Sequence, residues 1–354
     1  VPQRVVPRAF THALPALAAV LLLLLGGVVG ARLLQPPPPL ARAMSLVPAD
    51  TTRFSWTDWA AVRSELGADV GAGASAEEVD DFMADAFDAD LSPMSALGTS
   101  AGVMEEQLGF SPASVSWELF AQSGTGAVEV LGVDGVDLDA VADRLAELGW
   151  TEPEEADGVW VGGPDVLARV GPALTPELQH VALLADDGLV LTSDQAPYLE
   201  QVLEGLGDDG PEELVDLAEA LDEPLAAAVY DGAYACENLA MAQADDDAQA
   251  EADQLVAAAG AVHPLTGYAL GRLPGGDVRA VLQVEDEDDA EVDAEARARL
   301  AAGPAPGQGG DFTDRFEVEA AGSEGREVVL DLRPVEGAYV LSELTSGPVL
   351  FATC

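Results

Sequence analysis

The sequence contains no lysine and a single asparagine, Asn238, so all 15 of its basic residues are arginines, set against 64 Asp and Glu. Such a chain has no basic stripe to neutralise phosphates, which weighs against a nucleic-acid partner. Cysteine is almost as scarce. Cys236 and Cys354 are the only two, neither has a histidine close by in sequence, and two thiols are too few for a closed zinc site. Neither lies near the N-terminal apolar run, which argues against a lipoprotein anchor. Aromatic residues make up 5% of the chain, few from which to build an aromatic-lined sugar or peptide platform.

What is present is an uneven distribution of charge. Residues 1–43 hold Arg4, Arg8, Arg32 and Arg42 and no acid, a net charge of +4, whereas the remainder sets 11 arginines against 64 acids, a net charge of −53. Within the basic segment an apolar run extends from Ala13 to Ala31 and includes the leucines Leu21 to Leu25. About 19 residues of helix rise roughly 28 Å, close to a hydrocarbon core of about 30 Å, so the run can cross a membrane once. Arg4 and Arg8 ahead of it keep the N-terminus cytoplasmic and send the acidic body outside. The run is longer than an ordinary signal-peptide core and is expected to be a retained anchor; cleavage at Val28-Val29-Gly30 or Ala41-Arg42-Ala43 would instead secrete the body. The prolines Pro36 to Pro39 predict a stiff spacer that holds the body off the bilayer.

The expected order is therefore a cytoplasmic tail (1–12), a transmembrane signal anchor (13–34), a Pro-rich linker (35–43) and two lobes (44–224 and 225–354). The acids are spread along the chain, as on a solvated acidic surface. Both cysteines fall on the exported side, where disulfides persist. A bridge between them would close a loop of about 118 residues, contribute on the order of 4–5 kcal/mol in the chain-entropy model, and pin the last residue of the chain.

Hydropathy patterning predicts an α+β fold. Alternation over 51–59 sets Phe54 and Trp56 against Arg53, Ser55 and Thr57, as in a half-buried strand. Ser75 followed by Glu77 and Glu78 opens a helix, and a second helix is expected over 94–108. A hairpin (114–122 and 127–133), a helix opened by Asp137, short strands at 159–161, 181–185 and 189–192, and a helix over 197–206 follow. Asp187-Gly188 carries a type I′ turn signal. Between the lobes, helices at 211–221 and 238–260 flank a strand at 225–231. The second lobe repeats the order, with strands at 266–273 and 278–285, a helix at 289–301, strands at 312–320 and 326–333, a helix at 335–344 and a last strand at 349–352. Residues 303–310 read as pure loop. The expectation is a duplication, each lobe a mostly antiparallel sheet with helices on one face.

The segment Leu46-Val47-Pro48-Ala49-Asp50 before the first strand, then Val128 to Val133, Asp139-Ala140-Val141, Gly158-Val159-Trp160 and Leu189 to Ser193, resembles a family of exported bacterial proteins of unknown function. Members similarly begin with an apolar-Pro-Ala-Asp segment after a membrane anchor. The resemblance covers about 44–225, implies an extracytoplasmic location and supplies no catalytic residues. The bias toward Ala, Gly, Val, Leu, Asp and Glu is that of a GC-rich genome, an actinobacterial one being the natural source.

Candidate chemistry is sparse, and no cofactor is expected. Gly98-Thr99-Ser100-Ala101-Gly102 matches the nucleophile-elbow spacing, with His180 or His263 as the base it would need, but no apolar strand leads into it. His263 lies next in sequence to a helix carrying Asp245, Asp246, Asp247, Glu251 and Asp253, a conceivable divalent-metal neighbourhood. The run from Asp286 lacks the glycine and the ligand spacing of a calcium loop. Trp59 is a candidate exposed aromatic, and Trp150 and Trp160 could rim a pocket; Arg272 and Arg279, on facing strands, are a candidate anion site. These observations favour a membrane-anchored binding or interaction module of the cell envelope, its partner an envelope protein or ligand. A hydrolase using Ser100, or a metal-assisted site near His263, is the alternative.

Overall fold

The alternating segment at the start of the body forms β1 (Thr51–Thr57), and the whole architecture is built outward from it. The computed structural model describes residues 39–354 apart from 209 and 261. The expected tail and anchor, and residues 35–38 of the expected linker, lie outside the described residues. β1 pairs antiparallel on both sides, with β2 (Trp117–Ser123) and with β7 (Ala226–Asp231). From β2 the sheet continues through β3 (Ala127–Gly132), β6 (Leu189–Ser193), β5 (His180–Leu184) and β4 (Val159–Val161). From β7 it continues through β8 (Gly267–Arg272), β9 (Val278–Gln283), β11 (Glu327–Pro334) and β10 (Phe316–Glu324). Every pairing is antiparallel.

The two expected lobes are thus two halves of one sheet of 11 strands, continuous through the β1–β7 pairing. The order β1-β2-β3-β6-β5 on one side matches β7-β8-β9-β11-β10 on the other, and β4 has no counterpart. β7 reads Ala-Ala-Ala-Val-Tyr before its last residue, and those five positions are all buried, as in a strand covered on both faces.

Helices accordingly pack on both faces, in place of the expected one. In chain order they are α1 (Pro39–Met44), α2 (Trp59–Leu66), α3 (Ala76–Asp88), α4 (Ala101–Gln107), α5 (Leu138–Leu148), α6 (Pro164–Val170), α7 (Ala196–Glu204), α8 (Glu212–Glu219), α9 (Gly232–Tyr234), α10 (Asp246–Ala259), α11 (Glu287–Ala301) and α12 (Val340–Ser346). On one face α1, α7 and α8 share a core with Phe54, Trp56, Leu119, Val130, Val229 and Val281, which spans both halves. The other face carries two separate cores, one under α2 to α6 and one under α10 to α12.

Local signals account for many of the boundaries. Ser75 and Glu78 form a capping box at the start of α3, and Asp137 accepts from the Ala140 amide at the start of α5. The linker expected over 35–43 ends earlier, because Leu40, Ala41, Ala43 and Met44 are at most 1% exposed and α1 packs against α8 and β2. The helix expected from 94 begins at Ala101, after a 3₁₀ turn over Gly98–Ser100. Residues 303–310 form a closed loop: Pro304 bridges to Asp311, Ala305 is buried, and the Arg315 guanidinium donates to the carbonyls of Gln308 and Gly309. The last strand expected is a 3₁₀ turn, Leu350–Ala352. At Asp187-Gly188 only the glycine has a positive φ, so the type I′ turn is replaced by a longer loop joining Leu184 to Leu189.

Asp90 ties the two halves together. It is 2% exposed with φ 57°, a left-handed conformation that Asp tolerates better than most residues. Its carboxylate accepts from Leu341 N at 2.7 Å, Ser342 N at 3.2 Å and Ser342 Oγ at 2.6 Å, serving as the N-terminal cap that α12 does not supply from its own sequence. Asp90→Ala is expected to cost about 2–3 kcal/mol in urea unfolding, with Asp90→Asn costing less because it keeps one acceptor and the backbone conformation.

Candidate functional site

Ser100 sits at the end of the 3₁₀ turn leading into α4 and is fully buried. Its Oγ donates to Ala173 O at 2.9 Å and accepts from Thr175 N at 2.9 Å, so the hydroxyl fastens the loop after α6. His180 lies on β5 opposite Ser193, and burial lowers its pKa, partly offset by Asp194 and Glu200. Neither His180 nor His263 hydrogen-bonds Ser100, so the structure does not assemble the elbow. The second glycine of that signature has a packing cause: a Cβ at Gly102 would lie 2.6 Å from Asp80 Oδ1 on α3.

His263 faces α11, whereas the acids beside it in sequence belong to α10. Its Nδ1 lies 2.8 Å from Asp293 Oδ1 and its Nε2 3.4 Å from Asp289 Oδ1. Asp293 and Arg297, both fully buried, form an ion pair at 2.9 Å one helical turn apart. The same guanidinium donates to Phe351 O at 2.8 Å, Thr353 O at 3.0 Å and His263 O at 2.5 Å. The constellation is therefore a clasp on the end of the chain. Cys354, the next residue, is disulfide-bonded to Cys236 with a Cα–Cα distance of 5.8 Å. Among the described residues no cluster of three or more His, Cys, Asp or Glu is placed to hold a metal ion.

Two glutamates on the inner strands were not singled out by sequence. Glu118 is buried on β2 and accepts from Trp59 Nε1 (2.8 Å), Ser95 Oγ (2.9 Å) and Ala96 N (2.7 Å). Trp59, the candidate exposed aromatic, is fully buried, and Trp150 and Trp160 pack into the same core. Glu129 on β3 lies on the same face as Glu118, by the pairings Glu118–Leu131 and Phe120–Glu129. Both Glu129 oxygens are buried without a donor. Burial raises the pKa of each, and the neighbouring Glu118 charge pushes Glu129 well above the ordinary carboxylate value.

The native state thus keeps a proton on Glu129 that the unfolded chain sheds near pH 4.5, so this group makes stability fall as pH rises above that value. Glu129→Gln has no proton to lose. Relative to the parent chain it is expected to gain stability progressively as the pH rises above 4.5, and to show no such gain below it, as read from urea midpoints. A pH-independent difference would sink this account.

The candidate anion pair is not assembled either. Arg272 pairs with Val278 and Gly271 with Arg279, which puts the two arginines on opposite faces of the sheet. Arg279 is consumed by Asp222 at 2.7 Å and Asp331 at 2.8 Å. The Arg272 side chain makes no hydrogen bond or ion pair among the described residues, and its Nη1 is buried without a partner. Burial lowers its pKa, while Asp90, Asp277 and Glu65 draw it back up. It lines a pocket of about 520 Å³ bounded by the turn after β8, the end of β11, the loop over 335–338 and the C-terminus of α3. Arg333, Asp88, Asp277 and Glu336 are the other charged residues of that wall.

No family model, curated protein or solved structure matches the chain.

Proposed function

We propose that the chain is a membrane-anchored, extracytoplasmic binding module of the cell envelope, held by a transmembrane anchor over 13–34, with an acidic body that engages an envelope protein or ligand. The observation that carries this reading is the Cys236–Cys354 disulfide, which belongs to an oxidising compartment. The basic flank ahead of the apolar run supports the same orientation, and so does the resemblance to exported bacterial proteins over about 44–225. Binding is favoured over hydrolysis because Ser100 and His263, the side chains a hydrolase would use, are engaged in fastening loops. The matching strand orders of the two halves support an internal duplication whose products pair through β1 and β7.

Alkylation of the protein in intact cells without reductant tests the location. Both cysteines are expected to escape modification, with a peptide joining Cys236 to Cys354 recovered by mass spectrometry, and protease added outside is expected to digest the body. Two freely alkylated thiols together with a protected body would overturn the assignment.

A further inference from the structure

We propose that the pocket at Arg272 binds a small zwitterion, a free amino acid or a short peptide presenting both its ammonium and its carboxylate. The starting point is an anomaly of charge. In a chain with 64 acids, Arg272 is a half-buried guanidinium that finds no partner among the described residues, although it lines a pocket of about 520 Å³. That volume falls in the range of small-ligand sites, about 300–1,000 Å³. The nearby Asp90 carboxylate is directed at Leu341 and Ser342 and makes no ion pair with Arg272, although its charge is felt there.

The chemistry of the wall selects the ligand class. An anion alone would meet Arg272, with Arg333 already paired to Glu317 and Glu319, but also the carboxylates of Asp88, Asp277 and Glu336. A cation alone would leave the Arg272 guanidinium desolvated and unpaired, which is costly. A ligand carrying both charges satisfies both sets: its carboxylate takes the planar fork of Arg272, and its ammonium takes the acidic side. The approach to the fork is kept clear by backbone without side chains. At Gly276, with φ of 103°, a Cβ would lie 3.4 Å from Arg272 Nη2 and crowd the guanidinium, and a Cβ at Gly275 or Gly337 would stand in open space. The inference is independent of the cellular location proposed above.

Isothermal titration of the full chain in detergent tests it, with alanine and alanylalanine as probes and propionate and ethylamine as single-charge controls. The zwitterions are expected to bind at least about tenfold more tightly than either control, and Arg272→Gln to lose that binding. Arg326→Gln, at the far end of the β10–β11 hairpin, is expected to leave it intact. Asp277→Asn with Glu336→Gln, on a turn and a loop, keeps the test decisive should Arg272→Gln fail to fold: these changes are expected to weaken alanine without weakening propionate. Propionate binding as tightly as alanine would make this an anion site, ethylamine binding as tightly a cation site, and no binding by any probe would remove the site; each outcome overturns the proposal.

Discussion

Arg297→Met is expected to lower the unfolding free energy by about 3–5 kcal/mol, because it leaves Asp293 buried and charged with its strongest partner removed. The guanidinium is wholly inside the protein and satisfies four acceptors: one oxygen of the Asp293 carboxylate and the carbonyls of His263, Phe351 and Thr353, which leave none of its three nitrogens idle. Truncating it therefore strands an anion and three main-chain carbonyls at once. A buried pair is not in itself a strong stabiliser, so the double change Arg297→Met with Asp293→Leu is expected to recover part of the loss. Urea denaturation of the two single variants and the double variant measures this. A double variant as unstable as the sum of the singles would show that the loss comes from packing and not from the stranded charge.

Much of the local structure was legible, for identifiable reasons. Ser75 and Asp137 announce helix starts by chemistry that acts within three residues, and the structure puts caps at both. Alternation in β1 and the hairpins around β2–β3 and β8–β9 are likewise short-range patterns. The joining of the halves was not legible, because the β1–β7 pairing links segments far apart in the chain, and the uninterrupted apolar run of β7 was the only hint that both faces would be covered. The anion pair failed on parity. Arg272 and Arg279 flank one hairpin, but the register pairs Arg272 with Val278, so the seven-residue separation puts them on opposite faces. The nucleophile-like motif failed because Gly102 answers to the approach of α3, a tertiary cause that mimics a catalytic spacing. Asp293 and Arg297 did leave a signal, an acid and an arginine one turn apart on a helix, but that spacing is common on solvated faces and says nothing of burial. Asp90 left none: its partners lie about 250 residues downstream.

Loss of the Cys236–Cys354 bond, by Cys354→Ser, is expected to cost about 4–5 kcal/mol, since the bond closes a loop of 118 residues and chiefly restricts the unfolded chain. Its effect should differ in kind from that of Arg297→Met, although both act on the same few residues. With the disulfide gone, the C-terminal turn keeps its native contacts: Phe351 remains buried among Phe312 and Phe316, and Val349 N still donates to Leu239 O at 2.7 Å. The amide of Val349 is therefore expected to exchange with solvent only as fast as the lowered global stability dictates. In Arg297→Met the clasp itself is missing, and the same amide is expected to exchange faster than global unfolding allows, through local opening of the turn. Hydrogen exchange on the two variants separates the cases. Fast local exchange in Cys354→Ser with little change in global stability would mean that the disulfide acts on the native turn and that the chain-entropy account is wrong.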